Sequence, residues 1–492
     1  MTLRTTRLVA VASMAVLAAA CTVGPNYQKP DLPTPPAYAE AQSTPRTQIN
    51  AADADLSVWW TQFHDPVLEQ LITEALADNL DVQTALSRVR ESRQVERQTA
   101  AAEYPSLSTT ANAVTFRSNR SSAQAPSGSS ARGPASASSA GSSGFAAPGH
   151  LNFYSAGFDA TWEVDLFGGT RRAIQQARAN TQAQEWALRD VEVTLTAEVA
   201  NDYLTLREAQ ARIAVGEAEL ARQRSLFTLI QARRQTGFVT NLDVNQQATS
   251  VATAAAQLPQ LYAQARSQIH AIGVLLGKPP ETLSQELSNP GALPPPPPTL
   301  PIGLPSELLE RRPDVQEAER RLAAATAGIG VQTANLYPKL TLYPFAGFAS
   351  SDIDNLFDVH SLAVAALGQI TQPIFDAGKR IAAVRAAREE REQALMAYKS
   401  AVLGSLRDVE DALTRYENEE TRRTHLILAV NAAKGSLTIA QDQYRTGFVP
   451  FINVLQSENA LLNAEDQLTQ SDATVATDMV SIYKALGGGW RG

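Results

Sequence analysis

The residue types whose spacing announces catalysis or metal binding are sparse in this chain. Its five histidines, His64, His150, His270, His360 and His425, are scattered, and no pair stands at metal-ligand spacing. Nowhere do a strand, a glycine-rich turn and a helix follow one another as a phosphate loop requires. The only glycine cluster, Gly487 to Gly489, lies at the tail. Carboxylates such as Glu389, Glu390 and Glu392 read as a solvated or tunnel-lining helix face. The pattern argues for no enzyme, no metal site and no cofactor. One thiol remains, and a single cysteine excludes an intramolecular disulfide. Arg4 and Arg7 precede an apolar run at 8–20 that is too short to span a bilayer and ends in small residues before Cys21. Residues 1–20 thus read as a secretory signal, and Cys21 as the site of lipid attachment, a palmitate-bearing lipoprotein anchor. The preceding L-A-A-A is an imperfect lipobox, with Ala18 where leucine is usual. Thr22, rather than an aspartate, follows the cysteine and favours the outer membrane. An ordinary signal followed by a stray cysteine is the plainer alternative.

Loss of the signal takes the formal charge from -8 to -10. An acidic chain without a basic stripe argues against nucleic acid. No later apolar run is long enough for a transmembrane helix, so any membrane crossing must be made by strands.

The elements that position everything else occur twice. F-G-G-T-R-R at 167–172 begins a long Ala/Gln/Glu/Arg-rich run that ends in T-G-F-V at 236–239 and N-L-D-V at 241–244. F-D-A-G-K-R at 375–380 begins a second such run, which ends in T-G-F-V at 446–449 and I-N-V at 452–454. Gly237 and Gly447 lie 210 positions apart, and Gly169 and Gly378 lie 209 apart, which marks a tandem duplication. Val199, Leu206, Ile213, Leu220 and Phe227 recur at every seventh position, as do Leu395, Val402, Val409 and Tyr416. This is a coiled-coil seam. A helix over 171–234 would be roughly 95 Å long at about 1.5 Å per residue, so it must pack sideways.

Around these helices the sequence predicts a Pro-rich extended tether in 21–64 and a first repeat over 65–276. A Pro-rich strap at 277–306, a second repeat at 307–486 and a tail at 487–492 follow. Helices are expected from Asp65-Pro66 onward, over 82–103 and 313–336, and in the returning segments 243–276 and 453–486. Strands are expected near 106–116, 151–162, 340–348 and 362–371. In the second of these, Tyr154, Ala156, Phe158, Ala160 and Trp162 form one face, with Asn152, Ser155 and Asp159 assigned to the other, as in a membrane strand. Pro344 fits the third strand only near a barrel rim. The Ser/Ala/Gly-rich stretch 118–149 reads as a mobile loop.

Four strands cannot close in lipid, where unpaired N–H and C=O groups at an open edge cost several kcal/mol each. Two chains would give eight strands and a barrel filled by side chains; three would give twelve and leave a passage. The fold class expected is mainly α with a transmembrane β part. Several chains must share one barrel, which their long helices continue as a tube.

At this point the residues resemble a family. C-T-V-G-P-N-Y at 21–27, W-W at 59–60 before F-H-D-P at 63–66, L-L-E-R-R-P-D-V at 308–315, Q-P-I-F-D-A-G at 372–378 and Y-K-A-L-G-G-G-W at 483–490 are similar to motifs of TolC-like outer-membrane efflux proteins, NodT-type lipoprotein branch. The resemblance covers essentially the whole mature chain. It implies a homotrimer in outer-membrane lipid, a long coiled-coil helical barrel joined to a shared 12-stranded β-barrel to which each protomer gives four strands, that is the exit duct of a resistance-nodulation-division inner-membrane pump, joined through a periplasmic adaptor (membrane fusion) protein. A conduit for type I protein or peptide secretion is the alternative the architecture allows. A periplasmic adaptor would need one hairpin with a β-rich domain, not two duplicated helix pairs flanking four strands.

The resemblance also directs attention to the two turns. Gly237, Phe238, Val239, Gly447, Phe448 and Val449 are expected to dock the adaptor's helical hairpin, unless these side chains merely cap their own coiled coil. Relatives carry an acidic ring where this chain has Asn453 and Gln456. Ile452 matches an apolar constriction. Asp243 and Tyr444 match an aspartate and tyrosine that bond between helices in a shut gate, and Val449 stands where a basic latch residue is found. The gate is therefore expected to close by apolar and amide packing plus the Tyr444 to Asp243 contact, and to bind cations poorly compared with acidic-ring relatives.

Overall fold

A computed structural model describes residues 22–42, 47–48, 55–117, 150–237, 239–297, 300–301 and 305–490. The signal, Cys21, the Ser-rich stretch 118–149 and Phe238 lie outside the described residues.

Local chemistry starts each element. Asp65 caps α1 (Pro66–Asp78), its Oδ1 accepting from the amides of Val67 at 2.9 Å and Leu68 at 3.2 Å, while Pro66 occupies a first-turn position that needs no donor. Leu68, Leu71, Ile72 and Ala75 form its buried face. Asn79 ends α1 and starts α2 (Leu80–Ala100) by accepting from the amides of Asp81 and Val82. One 3₁₀ turn, Ala101–Glu103, then leads through Tyr104-Pro105 into strand β1 (Ser106–Arg117). β2 is His150–Val164. Two long helices follow: α3 (Gly169–Gln235, 67 residues) and α4 (Asn241–Leu275, 35 residues). Pro259 lies within α4 without ending it.

After short α5 (Ser284–Leu287) and α6 (Pro305–Arg311) the pattern returns: α7 (Pro313–Ala334), β3 (Lys339–Ser350), β4 (Leu362–Thr371), α8 (Lys379–Arg445, 67 residues) and α9 (Phe451–Ala485, 35 residues). Both long helices and both returning helices are thus displaced by 210 positions. The 209-position pairing of Gly169 with Gly378 slips by one. Gly168 (φ 78°) and Gly378 (φ 82°) each stand one residue before a helix in a left-handed conformation, and they are the structural equivalents. The backbone demand for positive φ, not the neighbouring letters, sets the register.

Contacts gather the chain into two compact units, one up to Asn26 with Val95–Gln176 and Thr326–Glu389, the other Tyr27–Gln94, Ala177–Ala325 and Glu390–Gly492. Each unit draws on both sequence repeats. The first holds one antiparallel sheet in the order β1-β2-β3-β4. Its pairs place Leu107, Phe158, Leu342 and Ile370 on one face and Thr110, Asp159 and Thr341 on the other, with Thr110 Oγ1 donating to Asp159 Oδ2. Asn152 pairs with Thr115 and, by strand alternation, shares the face of Tyr154; its assignment to the opposite face is corrected. Pro344 sits in mid-strand, opposite Ala366, rather than near an end. The β2–β3 pairing lapses at Tyr343 and Pro344 and resumes in the same register at Leu342, because proline brings no donor but its neighbours hold the alignment. Gly157 and Gly347 pair at a place where a Cβ on either would lie 2.6 Å or less from the other's Cα, with the Phe345 ring beside both.

In this unit too, the G-P-N-Y motif lies against helices. Arg172 donates to Val23 O (3.1 Å), Gly24 O (3.2 Å) and Asn26 Oδ1 (2.8 Å), and Gly24 (φ 89°) abuts the Gly330 backbone so closely that a Cβ would lie 2.5 Å from its Cα. The extended tether is therefore fastened by a specific cation and a specific glycine.

The second unit owns the main core. Trp59 is fully buried, stacked on Tyr483 with ring centroids 5.1 Å apart and meeting Trp60 and Phe63 edge-on. The Gly489 amide donates to Leu56 O at 2.9 Å, and Tyr483 Oη donates to Gln62 Oε1 at 2.7 Å. Arg312 of the R-R-P-D motif bonds Asp314 (2.7 Å), Asp408 (3.1 Å) and Ala485 O (3.2 Å). The motifs that carry the family resemblance are fastenings between chain segments distant in sequence. Most of the heptad seam is buried, with Val199, Leu206, Val409 and Tyr416 at 1% exposure or less, while Ile213, Phe227 and Leu395 are half-buried.

Candidate functional site

Helix α3 ends where Gly237 (φ 84°) donates its amide to Arg234 O at 3.0 Å. Helix α8 ends in the matching way: the amide of Gly447 (φ 81°) reaches Tyr444 O at 3.1 Å and that of Phe448 reaches Gln443 O at 2.9 Å, a Schellman closure. A Cβ on either glycine would meet nothing within 4 Å, so the left-handed conformation alone requires glycine there. Gly447→Ala is expected to destabilise this turn by about 1–2 kcal/mol. Trypsin cleavage after the neighbouring Arg445 should then rise roughly 5- to 30-fold, and an unchanged rate would show that the turn carries no such demand.

Beyond the turns the two copies diverge. Thr240 and Asp243 form a capping box at the start of α4: Asp243 Oδ2 accepts from the Thr240 amide and hydroxyl, both at 2.8 Å, and the Asp243 amide donates to Thr240 Oγ1 at 3.3 Å. At the start of α9, Pro450 provides no side-chain cap. Within this chain Asp243 therefore serves its own helix and is not joined to Tyr444. The Tyr444 ring packs on Phe451 (5.4 Å) beneath the Arg233 guanidinium (5.2 Å), and its buried hydroxyl has no partner.

The six turn residues also separate by exposure. Phe448 is 83% exposed and both glycines face solvent, whereas Val239 packs against the cluster formed by Ile230, Val430, Phe451, Val454, Leu455 and Leu461. Val449 is half-buried, Ile452 and Gln456 are exposed, and Asn453 is half-buried with its amide on Pro450 O. Phe238 lies outside the described residues.

The same helical assembly contains a feature that sequence reasoning missed. Glu219, Gln223, Gln247 and Glu458 are each buried. Gln223 Nε2 donates to Glu219 Oε1 at 2.6 Å and to Glu458 Oε2 at 2.9 Å, while Gln247 Nε2 donates to Gln223 Oε1 at 2.5 Å. Arg222 pairs with Glu219 at 2.6 Å. Burial, and then the nearby Glu219 carboxylate, push the Glu458 carboxyl up to about 7. The signal was present in the sequence: Phe451, Val454, Leu455, Glu458 and Leu461 follow apolar helical spacing, with an acid in a core position.

Among the described residues no three His, Cys, Asp or Glu side chains are grouped so as to hold a metal ion, and no helix is long and apolar enough to cross a membrane.

Comparison with known proteins places this geometry. The family described as Outer membrane efflux protein matches residues 71–278 and 304–488. The chain is 30% identical over 495 residues to the probable efflux pump outer membrane protein TtgC of Pseudomonas putida, covering 99% of this chain and 96% of that protein. It is 28% identical to the cation efflux system protein CusC of Escherichia coli, covering 96% of each. Among solved structures, the outer-membrane channel OprN superposes with a TM-score of 0.86 at 33% identity, covering 96% of this chain and all of that one. The CusC channel superposes with a TM-score of 0.79 at 25% identity, covering 95% and 100%. With a duplicated helix pair, a four-stranded sheet open at both edges and matches along nearly its whole length, the chain belongs to the outer membrane efflux protein family and is an efflux channel of the outer membrane.

Proposed function

We propose that three copies close one twelve-stranded barrel and continue it as a helical tunnel, a passive exit duct that performs no chemistry on its cargo. Small solutes enter from an inner-membrane pump of the resistance-nodulation-division type through a periplasmic adaptor. The observation that carries this reading is the sheet itself: β1 and β4 are free edges, and Leu107, Phe158, Val364 and Ile370 are exposed on one apolar face. Such a face suits lipid, and such edges are untenable there unless further strands pair with them. Cys21, two residues before Val23, whose carbonyl Arg172 holds, is the proposed lipid anchor. The relatives named above are described as efflux components, which favours solutes over polypeptide cargo.

The tip, where Gly237, Gly447 and Phe448 are exposed, is the proposed adaptor surface, to which Phe238 and the half-buried Val239 and Val449 are also assigned. The shut gate is proposed to rest on Ile452, Asn453 and Gln456, with Asp243 acting through the helix cap and Tyr444 through ring packing. An aromatic anchor at an interface contributes about 2 kcal/mol or more. Phe448→Asp should therefore weaken adaptor binding roughly thirtyfold. Ethidium should then accumulate in cells that rely on this channel with its adaptor and pump. Normal ethidium export by a correctly located Phe448→Asp channel would instead mean that Phe448 only shields its own coil.

A further inference from the structure

The internal duplication specifies how one chain's free edge meets the next. The two hairpins are copies: the pair Ser106↔Thr161 of β1–β2 holds the place of Lys339↔Thr371 in β3–β4. A residue of β1 thus corresponds to the residue of β3 that lies 233 positions later, and a residue of β2 to the residue of β4 lying 210 later. The second displacement is also that of the long helices. Between the hairpins, β2 runs beyond its last β1 partner and pairs with β3 through Trp162↔Leu342, Glu163↔Thr341 and Val164↔Leu340. β4 has no such partner. It stops at Thr371, where its pairing with β3 ends, and the three residues equivalent to 162–164 continue past the sheet as Gln372, Pro373 and Ile374, with no strand partner for their backbone, although Gln372 Nε2 donates to Leu336 O at 3.0 Å.

We infer that β4 of one copy pairs antiparallel with β1 of a second copy in the register that β2 and β3 use inside the chain, with Ile370 opposite Ala111, Gln372 opposite Thr109 and Ile374 opposite Leu107. β4 is thereby extended by three residues. The inference rests on the proposal that several copies share a barrel and adds which residues meet.

Three observations agree with this register. Ile374 is 98% exposed and Leu107 is 70% exposed, and the transfer sets these two apolar side chains against each other. It also joins the apolar face of β4, carrying Val364 and Ile370, to the apolar face of β1, carrying Leu107 and Ala111. A one-residue slip would set apolar against polar faces. Pro373 brings no donor, but Pro344 brings none inside β3 either, and there the register holds through its neighbours.

The test uses the full-length protein in outer-membrane vesicles, with cysteines introduced in pairs. Directly opposed residues in antiparallel strands have Cβ atoms about 4.5–5.5 Å apart and diagonal ones about 7–8 Å. A disulfide needs about 3.5–4.5 Å. Ile374→Cys with Leu107→Cys should therefore give about tenfold more reducible interchain cross-link than Ile374→Cys with Thr109→Cys, and than either single variant. Stronger cross-linking by the shifted pair would overturn the register. A particle with the mass of three chains that cross-links in neither pair would overturn the edge contact while leaving the trimer standing. A particle with the mass of one chain would instead remove the shared barrel on which the inference depends.

Discussion

Trp59→Ala is expected to cost about 3–5 kcal/mol, the range for deleting a large aromatic from a packed core. Trp59 is fully buried among Trp60, Phe63 and Tyr483, and Gly488 and Gly489 pass beside its ring, where a Cβ would lie 3.1 Å from Cδ1 and 3.3 Å from Nε1 and closer still to Leu56 O and Thr196 Oγ1. The loss therefore leaves a void between an N-terminal segment and the C-terminal tail, where the backbone bond from Gly489 to Leu56 also lies. Folded, outer-membrane-located protein should fall severalfold, with faster proteolysis of the remainder. Trp59→Phe isolates the cause. The indole Nε1 is buried without an acceptor, so the smaller ring gives up packing volume but no hydrogen bond, and its cost should be less than about half that of the alanine variant. Equal losses in the two variants would mean that the indole nitrogen, and not ring volume, is what the fold needs.

The second large effect is expected from Glu458. Its ordinary value of 4.5 rises to about 7 in the fold, chiefly through burial and then through repulsion by Glu219. The folded helices hold a proton that the unfolded chain releases near 4.5. This contribution is fully present below that value, shrinks as pH rises through about 7, and is flat above it. A shift of this size corresponds to about 3 kcal/mol. The groups acting on the carboxyl are Glu219, Gln223 and Arg222 on α3; Gln247 of α4 joins through Gln223, and Glu465 of α9, paired to Lys434 of α8 at 3.3 Å, joins through Arg222. None of the cations pairs with Glu458 itself. Glu458→Gln should make the assembly more stable at pH 8 than the unaltered chain and remove this slope. Burial also raises Asp202 and Asp478 to about 6 and pushes Asp190, Glu192, Glu208 and Glu317 up, so a whole-protein melt would mix several titrations. Amide exchange in 219–230 and 451–461, corrected for intrinsic rates at pH 5 and 8, reads the site alone. The same pH dependence in Glu458→Gln as in the unaltered chain would exclude Glu458 as its source.

Both predictions concern residues whose roles were unequally visible beforehand. Trp59 and Tyr483 stood out as motif letters, but that they stack on each other joins positions more than 400 residues apart. Glu458 stands at a core position of its helix's apolar spacing, but that spacing does not say what packs over it. Only the packing of α3 and α4 against α9 removes it from water. The gate residues show the same division. Asp243 was assigned to an interhelical bond with Tyr444 by resemblance, whereas Thr240, three residues away, completes a capping box with it in this chain. Val239 was grouped with the docking tip because it follows the turn glycine, yet an apolar cluster takes its side chain inward.

What the sequence by itself determined is what depends on short-range chemistry and period: two 67-residue helices, two left-handed glycine turns, strands with one apolar face, and a duplication of both. Periodicity and φ restrictions act within a few residues, so they are written locally. The tertiary structure alone decided the mid-strand place of Pro344, the inward turn of Val239, the stacking of Trp59 on Tyr483 and which helices close over Glu458. Each of these depends on which distant segment excludes water from, or offers a hydrogen bond to, a given residue, and no local pattern carries that information.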